Sequence, residues 1–241
     1  MVILYAIPYS PWSEKARWSL DYSGVSYQER AYQSVLGALP MRARTGRWTE
    51  RISIPLAIAD KVVLPNSYAI ARYVAGDNAQ FMPTDQAETI ESWNRSSERI
   101  MAAGRRSTTL RVMRDAPAIK EAITSAMPAG HLMPAAVGRL TARWLLRKYA
   151  SDTDHDDDLG TMRTELLALR DALDGRQHLL EGFTYADVVM ACALQFVQPP
   201  DYMRPHLTPL VGAHWRNSEL AEAFGDLLSW RDRIVEGFRG V

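Results

Sequence analysis

Residues 2–7, VILYAI, form a short unbroken apolar run rich in β-branched and aromatic side chains, the pattern of a buried strand. Residues 12–23, WSEKARWSLDYS, are good helix formers, and Gly24 supplies a stop. VSYQERAY (25–32) alternates well enough for a second strand. The looser stretch 33–50 is punctuated by Leu-Gly, Leu-Pro and Thr-Gly and offers at most a short helix. SIPLAIAD (53–60) and KVVLP (61–65) predict two strands joined by a tight polar turn around Asp60-Lys61. SYAIARYVAG (67–76) predicts a helix with Ile70, Tyr73 and Val74 on one face and Gly76 at its C-cap. Strand, helix, strand, loop or helix, strand, strand, helix is the order of an α/β unit with a small mixed sheet.

The pattern then changes. GDNAQFMPTD (76–85) has linker composition, and everything beyond it has helical periodicity. Residues 86–114 and 115–127 predict one long helix or two consecutive ones, disturbed near Pro117, and 127–134 a bend. Val137, Leu140 and Trp144 form a helical stripe over 135–150; Leu159, Met162, Leu166 and Leu173 form another over 157–174. Residues 183–197 are apolar almost all round, and 219–238 predict a last amphipathic helix. Two domains are expected, α/β in front and all-α behind.

Composition narrows the function classes. The chain has 241 residues, 47% hydrophobic and 23% charged, which suits a well-buried core rather than disorder. Lys plus Arg and Asp plus Glu both number 28, so charge makes no general case for nucleic acid. MVILYAIPYS lacks the basic flank and cleavage site of a secretory signal, and no run reaches the roughly 18 apolar residues of a membrane helix. A single cysteine, Cys192, allows no intrachain disulfide and no CxxC pair, and reads as a core residue of an apolar helix. A cytoplasmic protein is expected. Five scattered histidines show no metal-ligand spacing.

Three short features carry candidate chemistry. Ser10-Pro11 is a sound helix start, with serine at the N-cap and proline at N1. The same geometry presents amide N–H groups and partial positive charge, which stabilises an anion such as a thiolate. Ile54-Pro55 sits inside a strand pattern, where proline marks an edge, a bulge or a cis bond. Asn66-Ser67 precedes the helix at 67–76, as a cap or as a carboxylate holder.

Together these features resemble the thioredoxin-like N-terminal domain of cytosolic glutathione S-transferases. The resemblance rests on YSPWSEKARWSL after the first strand, SIPL before a hairpin, and NSYAIARY. FTYADVVMA at 183–191 is similar to the buried helix of that family's all-α domain, with Thr184 and Asp187 as a capping box and Phe183 stapling onto Val188. The resemblance implies a thioredoxin-like glutathione-binding domain over 1–78, a linker over 79–85 and an all-α domain over 86–241.

It also implies roles. Ser10 faces the glutathione thiol, as in serine-type members; Ile54 pairs its backbone with the cysteinyl part, beside a cis Pro55; Asn66 and Ser67 hold the γ-glutamyl end. Many members carry an acidic residue or glutamine where this chain has Asn66. Arg42 and Arg44 are candidates, by position only, for the glycyl carboxylate. Tyr9 is second choice for the catalytic hydroxyl, ahead of Ser13, while Tyr5 packs in its strand. Trp12 lines an apolar acceptor site or packs internally, and Tyr9 is placed at that site too. The implied activity is conjugation of glutathione, a co-substrate with no metal, to a small hydrophobic electrophile. That electrophile is held between the domains and lined by the 101–134 region. A homodimer is implied, with neither nucleic acid nor membrane as partner, and a part in detoxification. The alternatives are a non-catalytic ligand-binding or assembly protein, and a glutathione-dependent isomerase or dehalogenase.

Charge is unevenly spread. Residues 95–148 hold eleven Lys or Arg and three Asp or Glu; residues 152–187 hold ten acidic and three basic residues. Neighbouring basic and acidic helical faces account for this more simply than an anionic partner does. The run SDTDHDDDLG spaces Asp152, Asp154 and Asp156 by two but has Asp157 and Arg163 where a calcium loop needs glycine and glutamate. It reads as a loop feeding acidic residues into a helix start.

Overall fold

The computed structural model describes residues 1–32, 37–50, 52–76, 80–126, 140 and 157–239. Its front part is a four-stranded mixed sheet in the order β2-β1-β3-β4, with β1 Val2–Ala6, β2 Tyr27–Ala31, β3 Leu56–Ala59 and β4 Val62–Leu64. β1 and β2 are parallel, with Val2 opposite Tyr27; β3 is antiparallel to β1, with Tyr5 opposite Leu56; β4 returns antiparallel to β3. Asp60 and Lys61 make the hairpin turn with positive φ of 46° and 77°. Helix α1 (Pro11–Tyr22) joins the parallel pair, α2 (Ala38–Thr45) follows β2, and α3 (Ser67–Ala75) follows β4.

Strand alternation sorts the core onto two faces. Val2, Leu4, Ala6, Ala57, Ala59 and Leu64 pack with Ala16 and Leu20 of α1 and Ile70 of α3. Tyr5 and Leu56 face the other way, with Met41 of α2 and Ile52, so the sheet is covered on both sides. On α3 the buried positions are Ser67, Ile70, Ala71 and Ala75, while Tyr73 is 43% exposed. Of the expected face, Ile70 is buried and Val74 packs against the core, whereas Tyr73 points outward and Ala71 and Ala75 complete the buried stripe.

After residue 83 all described secondary structure is helical: α4 Ala87–Met113, α5 Ala116–Ala126, α6 Asp158–Leu173, α7 Tyr185–Ala193, α8 Pro209–Trp215, α9 Ser218–Ala223 and α10 Gly225–Phe238, with short 3-10 turns between. The chain forms two compact units. One comprises 1–95, 173–192 and 230–241; the other comprises 96–172 and 193–229. Among the described residues no helix is long and apolar enough to cross a membrane.

In the first unit an aromatic cluster closes around Phe183, whose ring stacks on Phe238 at 4.1 Å and meets Tyr22 at 4.9 Å. Phe81, within the stretch of linker composition, is fully buried against Tyr22 and Tyr185. The Asp187 carboxylate accepts hydrogen bonds from the amides of Thr184 and Leu179, both 2.9 Å away, and from the Thr184 hydroxyl. Asp187 thus reaches back as the capping box requires, while the Thr184 hydroxyl turns to that carboxylate.

In the second unit the break between α4 and α5 falls at Asp115, whose carboxylate caps the Ala118 amide, with Pro117 in the first turn of α5. Met162, Leu166, Leu169 and Leu173 form the buried stripe of α6, whereas Leu159 is 39% exposed in its first turn. Asp157 caps α6 through the Gly160 amide at 2.6 Å. Arg99 and Ser96 bind Glu165, and Arg106 binds Asp158, so basic α4 and acidic α6 neutralise each other along their faces. The predicted single helix over 219–238 is two, α9 and α10, separated at Phe224. Of the predicted stripe over 135–150 only Leu140 is described, and it is exposed; Val137, Trp144, the bend at 127–134 and Asp152, Asp154 and Asp156 lie outside the described residues.

Candidate functional site

Sheet direction decides which loops share an end. α1 lies between parallel strands, so it runs back along them and its N-terminus sits at the C-terminal end of β1. β3 is antiparallel to β1 and begins at that same end, with Ile54 and Pro55 just before its first paired residue. β4 is antiparallel to β3, so Leu64 also arrives there and delivers Pro65, Asn66 and α3. Ser10, Ile54-Pro55 and Asn66-Ser67 therefore all lie at one end of the sheet, with two helix N-termini.

Ser10 is the N-cap of α1, with extended backbone (φ −85°, ψ 124°), and Pro11 is the first helical residue. Its carbonyl accepts from the Glu14 amide at 2.9 Å, and its amide donates to the Ile7 carbonyl at 3.1 Å. Its hydroxyl accepts from the Ser13 amide at 3.5 Å, a distance at the outer limit of a hydrogen bond. At 8% exposure the side chain is nearly enclosed. Because the hydroxyl is the acceptor in this cap, its proton stays available to donate elsewhere. Ser13, fully buried, accepts from the Ile7 amide at 3.0 Å and so ties the first helical turn to the end of β1.

The Ile54–Pro55 peptide bond is cis, and Ile54 packs on the α2 side of the sheet with Tyr5 and Met41. The Asn66 carboxamide oxygen accepts from the Ala69 amide at 2.8 Å as the N-cap of α3. The amides of Ser67 and Tyr68 then have no acceptor within the helix, as at any helix start. Ser67 itself is buried. Arg44 donates to the Tyr5 hydroxyl at 3.1 Å, while Arg42 Nε is buried without a hydrogen-bond partner among the described residues. Tyr9 is exposed and Trp12 half-buried beside Ser10.

A set of charged groups behind this corner escaped sequence reading. Glu14 and Arg17 are buried on α1. Arg17 pairs with Glu29 of β2 and with Glu14; the other Glu14 oxygen accepts from Arg239 at 2.7 Å. Arg239 also reaches Asp21 at 2.6 Å. Burial, and then Asp21, push the Tyr27 phenol up. The available signal was Glu14 and Arg17 at i and i+3 within a helix that must bury most of its surface. Elsewhere, burial pushes up the thiol of fully enclosed Cys192. Among the described residues no cluster of three His, Cys, Asp or Glu is placed to hold a metal. Residues 101–126 of the region expected to line the acceptor belong to the second unit, and 127–134 lie outside the described residues.

Residues 1–76 match the family described as "Glutathione S-transferase, N-terminal domain". No curated protein matches the chain by sequence. Among solved structures, a glutathione transferase from Phanerochaete chrysosporium is 16% identical, with a TM-score of 0.60 over 99% of this chain and 96% of that one. A possible glutathione S-transferase from Rhodopseudomonas palustris is also 16% identical, with a TM-score of 0.59 over 99% and 95% of the two chains. A glutathione S-transferase from Methylobacterium radiotolerans, in complex with glutathione sulfonate, is 14% identical, with a TM-score of 0.57 over 97% and 90%. These likenesses establish a shared fold.

Proposed function

We propose that this protein, whose first 76 residues match the glutathione S-transferase N-terminal domain family, binds glutathione at the sheet end and activates its thiol. One observation carries the reading: strand register brings Ser10, Ile54-Pro55 and Asn66-Ser67 to the same end, two of the three at helix N-termini. The glutathione sulfonate complex of the Methylobacterium structure supports the ligand class.

In this reading the γ-glutamyl carboxylate lies at the start of α3, against the amides of Ser67 and Tyr68. The cysteinyl backbone pairs with Ile54 as an added strand would, and Arg42 or Arg44 takes the glycyl carboxylate. The Ser10 hydroxyl donates to the sulfur, and the thiol proton leaves to solvent. Each unit by which the thiol pKa falls is about 1.4 kcal/mol of preference for thiolate. The helix end and one hydroxyl together are expected to supply about one to two units. The thiolate pair then forms a C–S bond to a small hydrophobic electrophile, and the leaving group departs with its bonding electrons. Tyr9 and Trp12 are proposed to face that electrophile. The same reading takes the protein as a cytoplasmic homodimer, checked by sedimentation at twice the chain mass.

A second reading has one observation in its favour. The Asn66 oxygen is engaged by the Ala69 amide, and its side chain is shorter than glutamine, so the γ-glutamyl end is held less firmly. A non-catalytic carrier suits that feature. Calorimetric titration with glutathione, followed by a conjugation assay with chlorodinitrobenzene, separates the two. Binding with turnover supports the transferase, and binding without turnover supports the carrier. No heat at millimolar glutathione removes the transferase and favours a carrier of some other ligand.

A further inference from the structure

The corner that carries Ser10 is held by a guanidinium that no step of the proposed chemistry uses. Arg17 lies seven residues along α1 and is 9% exposed. It makes five hydrogen bonds, as many as its guanidinium has N–H groups. Nε donates to Glu29 Oε2 at 2.8 Å, and Nη2 donates to Glu29 Oε1 at 2.8 Å and to the Ile7 carbonyl at 3.2 Å. Nη1 donates to the Pro8 carbonyl at 3.3 Å and to Glu14 Oε2 at 3.2 Å.

The Ile7 carbonyl is a shared acceptor: it takes Arg17 Nη2 at 3.2 Å and the Ser10 amide at 3.1 Å. One oxygen thus links the guanidinium to the Ser10 backbone. On the other side of Ile7, its amide is fixed by Ser13 Oγ at 3.0 Å. Glu29 fixes the plane of the fork from β2, while Glu14, held in turn by Arg239, fixes it from α1. The carbonyls of Ile7 and Pro8 lie three and two residues before Ser10, with only Tyr9 between, so their direction sets where the cap residue points.

We propose that Arg17 is a positioning residue for Ser10: through the Ile7 and Pro8 carbonyls it fixes the corner so that the Ser10 hydroxyl meets the glutathione sulfur. This rests on the reading of Ser10 as the thiolate's donor. Lysine at this position keeps the charge but has three donors on one atom, and cannot span a carboxylate and two carbonyls at once.

The test compares wild type, Arg17→Lys and Arg17→Ala in the full chain, measuring kcat, KM for glutathione and the pH–rate profile of conjugation. Arg17→Lys should lower kcat about 10- to 100-fold, as a misplaced reacting group does, with KM for glutathione within about threefold because the binding elements at Ile54 and α3 are untouched. A less well-placed donor stabilises thiolate less, so the pH–rate midpoint should rise, and Lys should rescue no better than Ala. Folded Arg17→Lys with wild-type kcat and midpoint overturns the proposal, as does a loss that only tracks the folded fraction. If neither Arg17 variant folds, Glu29→Gln takes the same measurements, since it frees one side of the fork while leaving Arg17 in place.

A wild type that neither binds nor conjugates glutathione defeats the functional reading instead. Amide hydrogen exchange of Arg17→Lys then decides the positioning itself. Faster exchange confined to the Ser10 amide supports it; exchange unchanged there, or faster throughout α1, overturns it.

Discussion

Ser10 and Ser13 flank Pro11 and Trp12 on the first turn of α1, and their hydroxyls have different partners. Ser10 accepts one long bond from the Ser13 amide, whereas Ser13 closes a 3.0 Å bond to the Ile7 amide in a fully buried place. Ser13→Ala strands the part-buried Ile7 N–H and should cost about 1 kcal/mol in chemical denaturation. Ser10→Ala removes a weak cap, worth about 1 kcal/mol or less, yet it should lower the turnover of conjugation tenfold or more with little change in Tm. Equal turnover of Ser10→Ala and wild type would remove Ser10 from the mechanism. The sequence pattern of residues 10 and 11 made the cap readable, because serine and proline have distinct places at a helix start. The Ser13 bond was not readable, since it depends on how β1 ends relative to α1. Arg17 was hidden for the same reason: its acceptors come from β2, the corner and α1 together.

Helices show what packing adds to pattern. Gly104, in the middle of α4, has no turn to make, and helix propensity alone predicts that Gly104→Ala gains about 1 kcal/mol. A Cβ built there would lie 2.4 Å from Phe196 Cβ and 2.6 Å from its Cγ, atoms close to the backbone that cannot swing aside. Overpacking should reverse the sign, costing about 1–3 kcal/mol and lowering Tm in calorimetry. Between α4 and α6, burial by itself raises the Glu165 carboxyl, but bonds from Arg99 and Ser96 outweigh it and hold it below its usual 4.5. A carboxyl depressed in the folded state stabilises above its unfolded pKa, and that contribution is lost as pH falls through the folded value. Denaturation from pH 6 to 3 should therefore show wild type losing stability below about 4.5, with a shallower loss in Glu165→Gln. The charge asymmetry of the two segments was legible in composition. That it resolves into facing helices required Arg99, Arg106, Asp158 and Glu165 to be seen in register.

At the scale of the whole molecule, the first unit is assembled from three separated stretches of chain, 1–95, 173–192 and 230–241. The Trp18 indole of α1 donates to the Phe238 carbonyl at 3.1 Å, and Tyr22 and Phe81 rest on Phe183. A fragment of residues 1–85 lacks Phe183, Tyr185 and Phe238, leaving the outer face of α1 uncovered. It should give no cooperative thermal transition, and a sharp two-state melt of that fragment would count against this account. The succession of strands and helices along the chain and both helix starts were legible because turn residues and alternation are local signals. The reach of the far end of the chain onto α1 is long-range, and no window of sequence contains it. Glu14 and Arg239 stand 225 positions apart. At about 5–20 residues per second of ribosomal synthesis, roughly 11–45 s separate the appearance of the two partners. The corner with the candidate chemistry is thus made well before the residue that locks it. Over that interval the nascent chain carries a helix whose Glu14 carboxylate can hold Arg17 but has not yet met Arg239.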